Sequence, residues 1–115
     1  MNRPRERRNA VSYLRVSTDD QVGHMSLRFQ ERAISKWCRG EGFGLLGAFA
    51  DLGSACNDDL AGQPGLRKLL GLLPILRPRV FVVYSLDRLT RNAAVASRIS
   101  DELGALGMVL VSPAA

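Results

Sequence analysis

Histidine and cysteine are almost missing from this sequence, with one histidine, His24, and two cysteines, Cys38 and Cys56, among 115 residues. A lone imidazole with no ligand spacing around it makes no metal site. Two thiols outside a C-x-x-C arrangement make neither a disulfide framework nor a redox pair. Cys38 reads as a core thiol, Cys56 as a loop thiol and His24 as a solvated loop residue. The shortage of histidine also removes a Ser-His-Asp hydrolase, and no G-x-S-x-G elbow is present. A GxxxxGK[ST] phosphate loop is absent as well. No apolar run approaches the roughly 20 residues that span a bilayer. The basic start "MNRPRERRN" is not followed by the hydrophobic region of a secretory signal. These absences point to a cytoplasmic chain, away from the membrane, that works without a metal or a nucleotide cofactor.

Lysine is scarce too. Of the 16 basic residues 14 are arginine, and the net charge is +5. Arginine presents a planar fork matched to phosphate, whereas lysine is a point charge. Charge alone leaves two readings open: an anionic partner, most often nucleic acid, or a compositional bias. Apolar residues make up 46% of the chain, which excludes a disordered protein. A single domain of this length buries roughly two thirds of its unfolded surface.

Along the chain, Ala10 to Val16 reads as a strand. Ser26 to Arg39 reads as a helix, with Ser26 as its cap, Leu27, Ile34, Trp37 and Cys38 on its apolar face, and Gly40 and Gly42 as its stop. Trp37 is expected in the core. Leu45 to Ala50 reads as a second strand. A polar, glycine-containing loop follows, and Pro64 opens a second helix that should end at Pro74. Val80 to Ser85 is a β-branched run suited to a strand buried on both faces. Asn92 to Leu106 reads as a helix and Met108 to Val111 as a last strand. This alternation implies an α/β fold: a parallel, doubly wound sheet of about four to five strands with helices on both faces. Residues 1–8 read as a disordered basic arm and residues 9–115 as the folded domain. Arg3, Arg5, Arg7 and Arg8 of the arm either touch an anionic partner or serve solubility.

Ligands of open parallel sheets bind outside the carboxyl ends of the strands. Two polar clusters fall there. Arg15 and Ser17 end the first strand, two residues apart and so on one side of it. "LDRLTR", Leu86 to Arg91, follows the third strand. Arg88 and Arg91 are three apart and share a face if a helix has begun. Asp87 can orient one guanidinium, although the pair alone reads as a solvated helix start. A serine among arginines suits attack on a phosphodiester, with guanidinium groups holding the developing charge.

The stretches "YLRVSTDDQ", "SLRFQ", "ADLGSA", "PGLRKLL", "VFVVYSLDRLTRN" and "GMVLVS" occur in unbroken order over about residues 9 to 113. Together they resemble the catalytic domain of the serine recombinases, the resolvase/invertase family, and most closely its large serine recombinase branch. The resemblance implies a resolvase-like fold and site-specific cleavage and rejoining of DNA through a phosphoserine link. Its expected partners are DNA and further recombinase subunits, its own or related. It implies that Ser17 is the nucleophile, that Arg15, Arg88 and Arg91 surround the phosphate, and that Asp87 orients them. Tyr13, Gln30, Asp51 and Ser54 match supporting positions. Gln63 stands where the family pattern has a further active-site arginine, and a glutamine brings no charge. The family's long helix and DNA-binding domain would follow Pro113 and are not among the 115 residues. The chain alone is therefore expected to bind DNA weakly and without sequence preference. An alternative is a truncated, catalytically weak domain that serves as an interaction or regulatory module for an intact recombinase.

Overall fold

The computed structural model describes residues 8–16, 26–52 and 63–114. Their elements are β1 (Asn9–Val16), α1 (Leu27–Glu41), β2 (Gly44–Leu52), α2 (Pro64–Leu76), β3 (Val80–Val83), α3 (Leu86–Leu89), α4 (Ala93–Ala105) and β4 (Val109–Val111). The strands form one parallel sheet in the order β2-β1-β3-β4. The chain leaves β1 toward one edge and later returns to build the other. β1 and β3 are therefore neighbours across the switch point, where open sheets of this kind bind ligands.

Period-two alternation divides the core between the two faces of the sheet. Val11, Tyr13, Phe81 and Val83 pack with Leu66, Leu69 and Leu73 of α2 and Val95, Ile99 and Leu103 of α4. Ala10, Leu14, Val80 and Val82 pack on the other face with Ile34 and Cys38 of α1. All four residues of β3 are buried, as a β-branched central strand covered on both sides requires.

α1 begins and ends as its sequence indicates. Ser26 Oγ accepts from the Phe29 amide at 3.2 Å, and Gly42 adopts the left-handed conformation at φ 80°. Its buried stripe differs from expectation. Gln30, Ile34 and Cys38 form it, spaced four apart, while Leu27 is exposed. Trp37 sits at the margin of the stripe, half-buried rather than fully buried, packed against the core on that face and stacked on Phe43 with ring centroids 5.6 Å apart. Cys38 is buried, as expected.

α2 does not stop at Pro74. It continues to Leu76, because losing one N–H costs a single bond to the preceding turn while the Leu66, Leu69 and Leu73 stripe holds the helix on the sheet. It closes on Arg77 at φ 46°, whose amide bonds the Leu73 carbonyl at 2.8 Å. A second correction concerns the "LDRLTR" stretch. α3 is a single turn that ends at Thr90 in extended conformation, and α4 starts afresh with Asn92 as its cap. Arg88 lies inside α3 and Arg91 beyond it, so the two do not share a helix face. Arg8, assigned to the arm, is docked: it donates to the Glu41 carbonyl at 3.1 Å and lies over the Phe43 ring. Among the described residues no helix is long and apolar enough to cross a membrane.

Candidate active site

The carboxyl ends of β1 and β3 carry the first group. Arg15 is on the side of β1 that also presents Val11 and Tyr13, and it is only 1% exposed. Its Nε donates to the Arg88 carbonyl at 3.3 Å and its Nη2 to the Asp87 carbonyl at 2.9 Å. Arg88 answers through Nη1 to the Arg15 carbonyl at 3.2 Å, and Gln30 Nε2 reaches the same oxygen at 3.1 Å. The reason is local. A one-turn helix leaves its last carbonyls without intrahelical partners. Arg15 satisfies two of them, and Gln63 satisfies the third, donating Nε2 to the Leu89 carbonyl at 2.7 Å.

Burial, and then the neighbouring charge of Arg88, lowers the Arg15 guanidinium from its usual pKa; Arg91 adds to the same effect. A guanidinium nevertheless stays protonated in a protein. The group is therefore a gathering of like charges. Asp87 is the acidic counterweight: its Oδ2 lies 4.0 Å from Arg88 Nε, and the Ser85 hydroxyl bonds its Oδ1. Arg91 is exposed at the lip, where it lines a groove of about 590 Å³ with Asp87, Thr90 and Leu110.

The second group lies beside the first. Tyr13 Oη donates to Asp51 Oδ2 at 2.7 Å and accepts from Gln63 Nε2 at 3.0 Å. Asp51 also accepts from the Gly65 amide at 2.7 Å and the Leu66 amide at 2.9 Å. Its carboxylate thus caps α2, whose own cap residue Gln63 makes no side-chain cap bond. The approach demands glycine: a Cβ on residue 65 would lie 2.5 Å from the Ala50 carbonyl. Burial pushes the Tyr13 phenol well above its usual value; the Gln63 bond works the other way, and Asp51 pushes it further up. Tyr13 is a neutral brace.

Of the residues singled out in the sequence, Arg15, Gln30, Asp87 and Arg88 converge, and Arg91 stands at their rim. Tyr13, Asp51 and Gln63 form the adjoining network. Gln63, which stands where the family pattern has an arginine, belongs to this adjoining network. It is 2% exposed, and both its amide N–H bonds are used internally. Ser17, Ser54, His24 and Cys56 lie outside the described residues. Sequence reasoning missed Ser85, Gly65 and the α3 carbonyls. The "PGL" stretch and a serine two residues before Asp87 were the available signals. A groove of about 450 Å³ lined by Val16, Arg28 and Asp51 opens over the ends of β1 and β2. A larger one, about 690 Å³ between α1 and β2, shares Arg28 with it but touches neither the Arg15 and Arg88 group nor the Tyr13, Asp51 and Gln63 network, so size does not mark the site. Among the described residues no cluster of His, Cys, Asp and Glu could hold a metal ion.

The chain is thus an α/β domain with an open parallel sheet and guanidinium groups at its switch point. Residues 10–115 match the family described as the resolvase N-terminal domain, and the chain belongs to it, as a serine recombinase catalytic domain. It is similar to the solved C-terminal catalytic domain of ISC1926 TnpA, an IS607-like serine recombinase. The identity is 25% over 90% of this chain and 68% of that one, with a TM-score of 0.76. The N-terminal catalytic domain of TP901-1 integrase shares its fold at 22% identity, over 91% of this chain and 76% of that one, with a TM-score of 0.79. A resolvase family site-specific recombinase from Streptococcus pneumoniae does so at 21% identity, over 90% and 70%, with a TM-score of 0.74. Among curated proteins none matches the chain.

Proposed function

We propose that this domain cleaves and rejoins DNA in the cytoplasm with Ser17 as nucleophile, and that Arg15, Arg88 and Arg91 hold the scissile phosphate. The observation that carries the reading is the reciprocal bonding of Arg15 and Arg88. It gathers guanidinium charge beside the end of β1, and Ser17 follows β1 by one residue. In the reaction the Ser17 Oγ–P bond forms and the P–O3′ bond breaks. The serine proton ends on the 3′ hydroxyl, and the 5′ phosphate stays on the protein. Asp87 lies close to Arg88 and accepts from Ser85, which supports a role for it in orienting that guanidinium and assisting the proton transfer. The charge developing on the phosphate oxygens falls to preorganised donors. Religation is the same step reversed, with a different 3′ hydroxyl attacking. Further recombinase subunits supply the second DNA end.

The test joins the chain at its carboxyl end to the long helix and DNA-binding domain of a relative with a known site. A nicked duplex carrying that site is added, and protein-linked DNA is read on a denaturing gel. The intact chain should form the link and Ser17→Ala should form none. Arg88→Gln should slow it by about 10²- to 10³-fold. A link that persists in Ser17→Ala would remove Ser17 from the role. No link from the intact chain would sink the recombinase reading.

A further inference from the structure

We infer that Gln63 is a positioning residue for α3, and that its carboxamide, rather than a charge, sets the geometry of Asp87 and Arg88. The inference rests on the proposed site and concerns a residue that does not touch the phosphate. Three consecutive carbonyls end α3, those of Asp87, Arg88 and Leu89. Arg15 from β1 holds the first two and Gln63 from the start of α2 holds the third. This single turn is thus tied to two separate elements through successive backbone oxygens. The second N–H of Gln63 goes to the Tyr13 hydroxyl, whose proton goes to Asp51, which caps α2. Gln63 thereby links β1, β2 and α2 to the turn that carries the reactive groups.

The chemistry of the amide explains why this suits glutamine. Its nitrogen offers two hydrogens in one plane, and two acceptors, a carbonyl and a phenol oxygen, sit at 2.7 and 3.0 Å. Nothing on that nitrogen is left for a phosphate oxygen. A glutamine here acts from behind, by holding α3 down, because an unpaired buried carbonyl is costly and the turn would otherwise lift to find water. α3 is too short to hold its own shape. Its geometry depends on these clamps.

The test compares Gln63→Met, similar in shape but without donors, with Leu69→Ala, a core truncation in α2 that destabilises globally. Amide hydrogen exchange is followed on the chain itself. In Gln63→Met the Arg88 and Thr90 amides, which bond Ser85 and Leu86 carbonyls, should exchange about tenfold faster relative to the β1 amides. In Leu69→Ala, α3 and β1 should lose protection together. Joined to the relative's long helix and DNA-binding domain, and on a saturating nicked duplex, Gln63→Met should form the serine link about ten- to a hundredfold more slowly than the unsubstituted fusion, with DNA affinity unchanged within about twofold. Gln63→Glu should restore the geometry only in part, since a protonated carboxyl has one donor for the two oxygens and an ionised one has none. Protection lost in step across α3 and β1, or an unchanged rate with intact α3 protection, would overturn the inference. If the intact chain forms no link at all, the proposed function fails, and the exchange comparison still decides whether Gln63 clamps α3.

Discussion

Arg15 and Arg88 each donate to the other's backbone carbonyl, at 3.3 and 3.2 Å, so two like charges are pinned side by side by neutral acceptors. Such an arrangement is costly without an anion, and burial with mutual repulsion lowers the Arg15 pKa accordingly.

An oxyanion should therefore stabilise the fold. Sulfate at a hundred times its Kd would add about 2.7 kcal/mol. Sulfate also stabilises proteins generally by exclusion from their surfaces, so the comparison is what counts. At constant ionic strength the rise in Tm with sulfate should be clearly smaller in Arg88→Gln than in the unsubstituted chain. Equal rises in both would show that no anion sits between these groups.

Gly65 gives a stability prediction with built-in controls. A methyl there would meet the Ala50 carbonyl at 2.5 Å and Asp51 Oδ1 at 2.9 Å, both fixed by the sheet and the cap. Gly65→Ala should cost about 1–3 kcal/mol, or more if the Asp51 cap is broken. Gly71 and Gly104 lie within helices, with nothing within 4 Å of an added Cβ. Gly71→Ala and Gly104→Ala should each stabilise by about 0.5–1 kcal/mol. Urea unfolding of the three variants checks the signs, and a neutral Gly65→Ala would refute the close approach of α2 to β2.

Tyr13 sets an alkaline limit. Its phenol is raised above the usual value in the folded state, chiefly by burial. The unfolded chain releases that proton near pH 10, while the folded chain keeps it. Below pH 9 the contribution is complete. As pH climbs through 10 the unfolded state binds fewer protons, and stability falls by up to about 1.4 kcal/mol per pH unit. Tyr13→Phe removes this slope. It also removes the bonds to Asp51 and Gln63, costing about 1–3 kcal/mol at pH 7. Unfolding measured from pH 7 to 11 should show the two chains converging above pH 10. Parallel curves would mean that Tyr13 ionises normally.

The sheet was legible because each strand carries a signal local to itself: "VFVVYS" needs no context to read as a buried strand. The alternation implied a parallel, doubly wound sheet, and the structure supplies its order, with β1 beside β3. Helix ends at Ser26, Gly42 and Asn92 were equally local, since a cap is made within a few residues. What stayed hidden was long-range. Pro74 reads as a stop until the Leu66, Leu69 and Leu73 stripe is known to lie on the sheet. The buried stripe of α1 includes a polar residue, Gln30, because the Arg15 carbonyl lies beneath it. The break at Thr90 separates Arg88 from Arg91, and spacing alone joined them. Gln63 was found as a position but not as a role. Its partners, Tyr13 and Leu89, are far from it in sequence, and only the fold brings them within reach.

DNA binding by the chain alone should be electrostatic. Arg28, Arg32, Lys36 and Arg39 line the groove along α1, Arg91 is exposed beside Asp87, and the chain carries a net charge of +5. Phosphate contacts position a protein on DNA without reading sequence. The Kd for an unrelated duplex should therefore fall between about 10⁻⁴ and 10⁻⁶ M at physiological salt. It should weaken linearly in log[salt], with a slope of about 0.9 for each phosphate neutralised. Arg91→Gln, which removes an exposed charge at the rim of the proposed site, should flatten that slope by about 1. Arg98→Gln is the control: it removes an exposed arginine of α4 outside the proposed site, and should leave the slope nearly unchanged. Neither change should alter the ranking of different duplex sequences. Fluorescence anisotropy at four salt concentrations on two unrelated duplexes measures both slope and preference. A strong preference that survives high salt would mean that this domain reads bases directly. An Arg91→Gln slope equal to that of the unsubstituted chain would place the phosphate path away from Asp87 and Arg88, and with it the proposed chemistry.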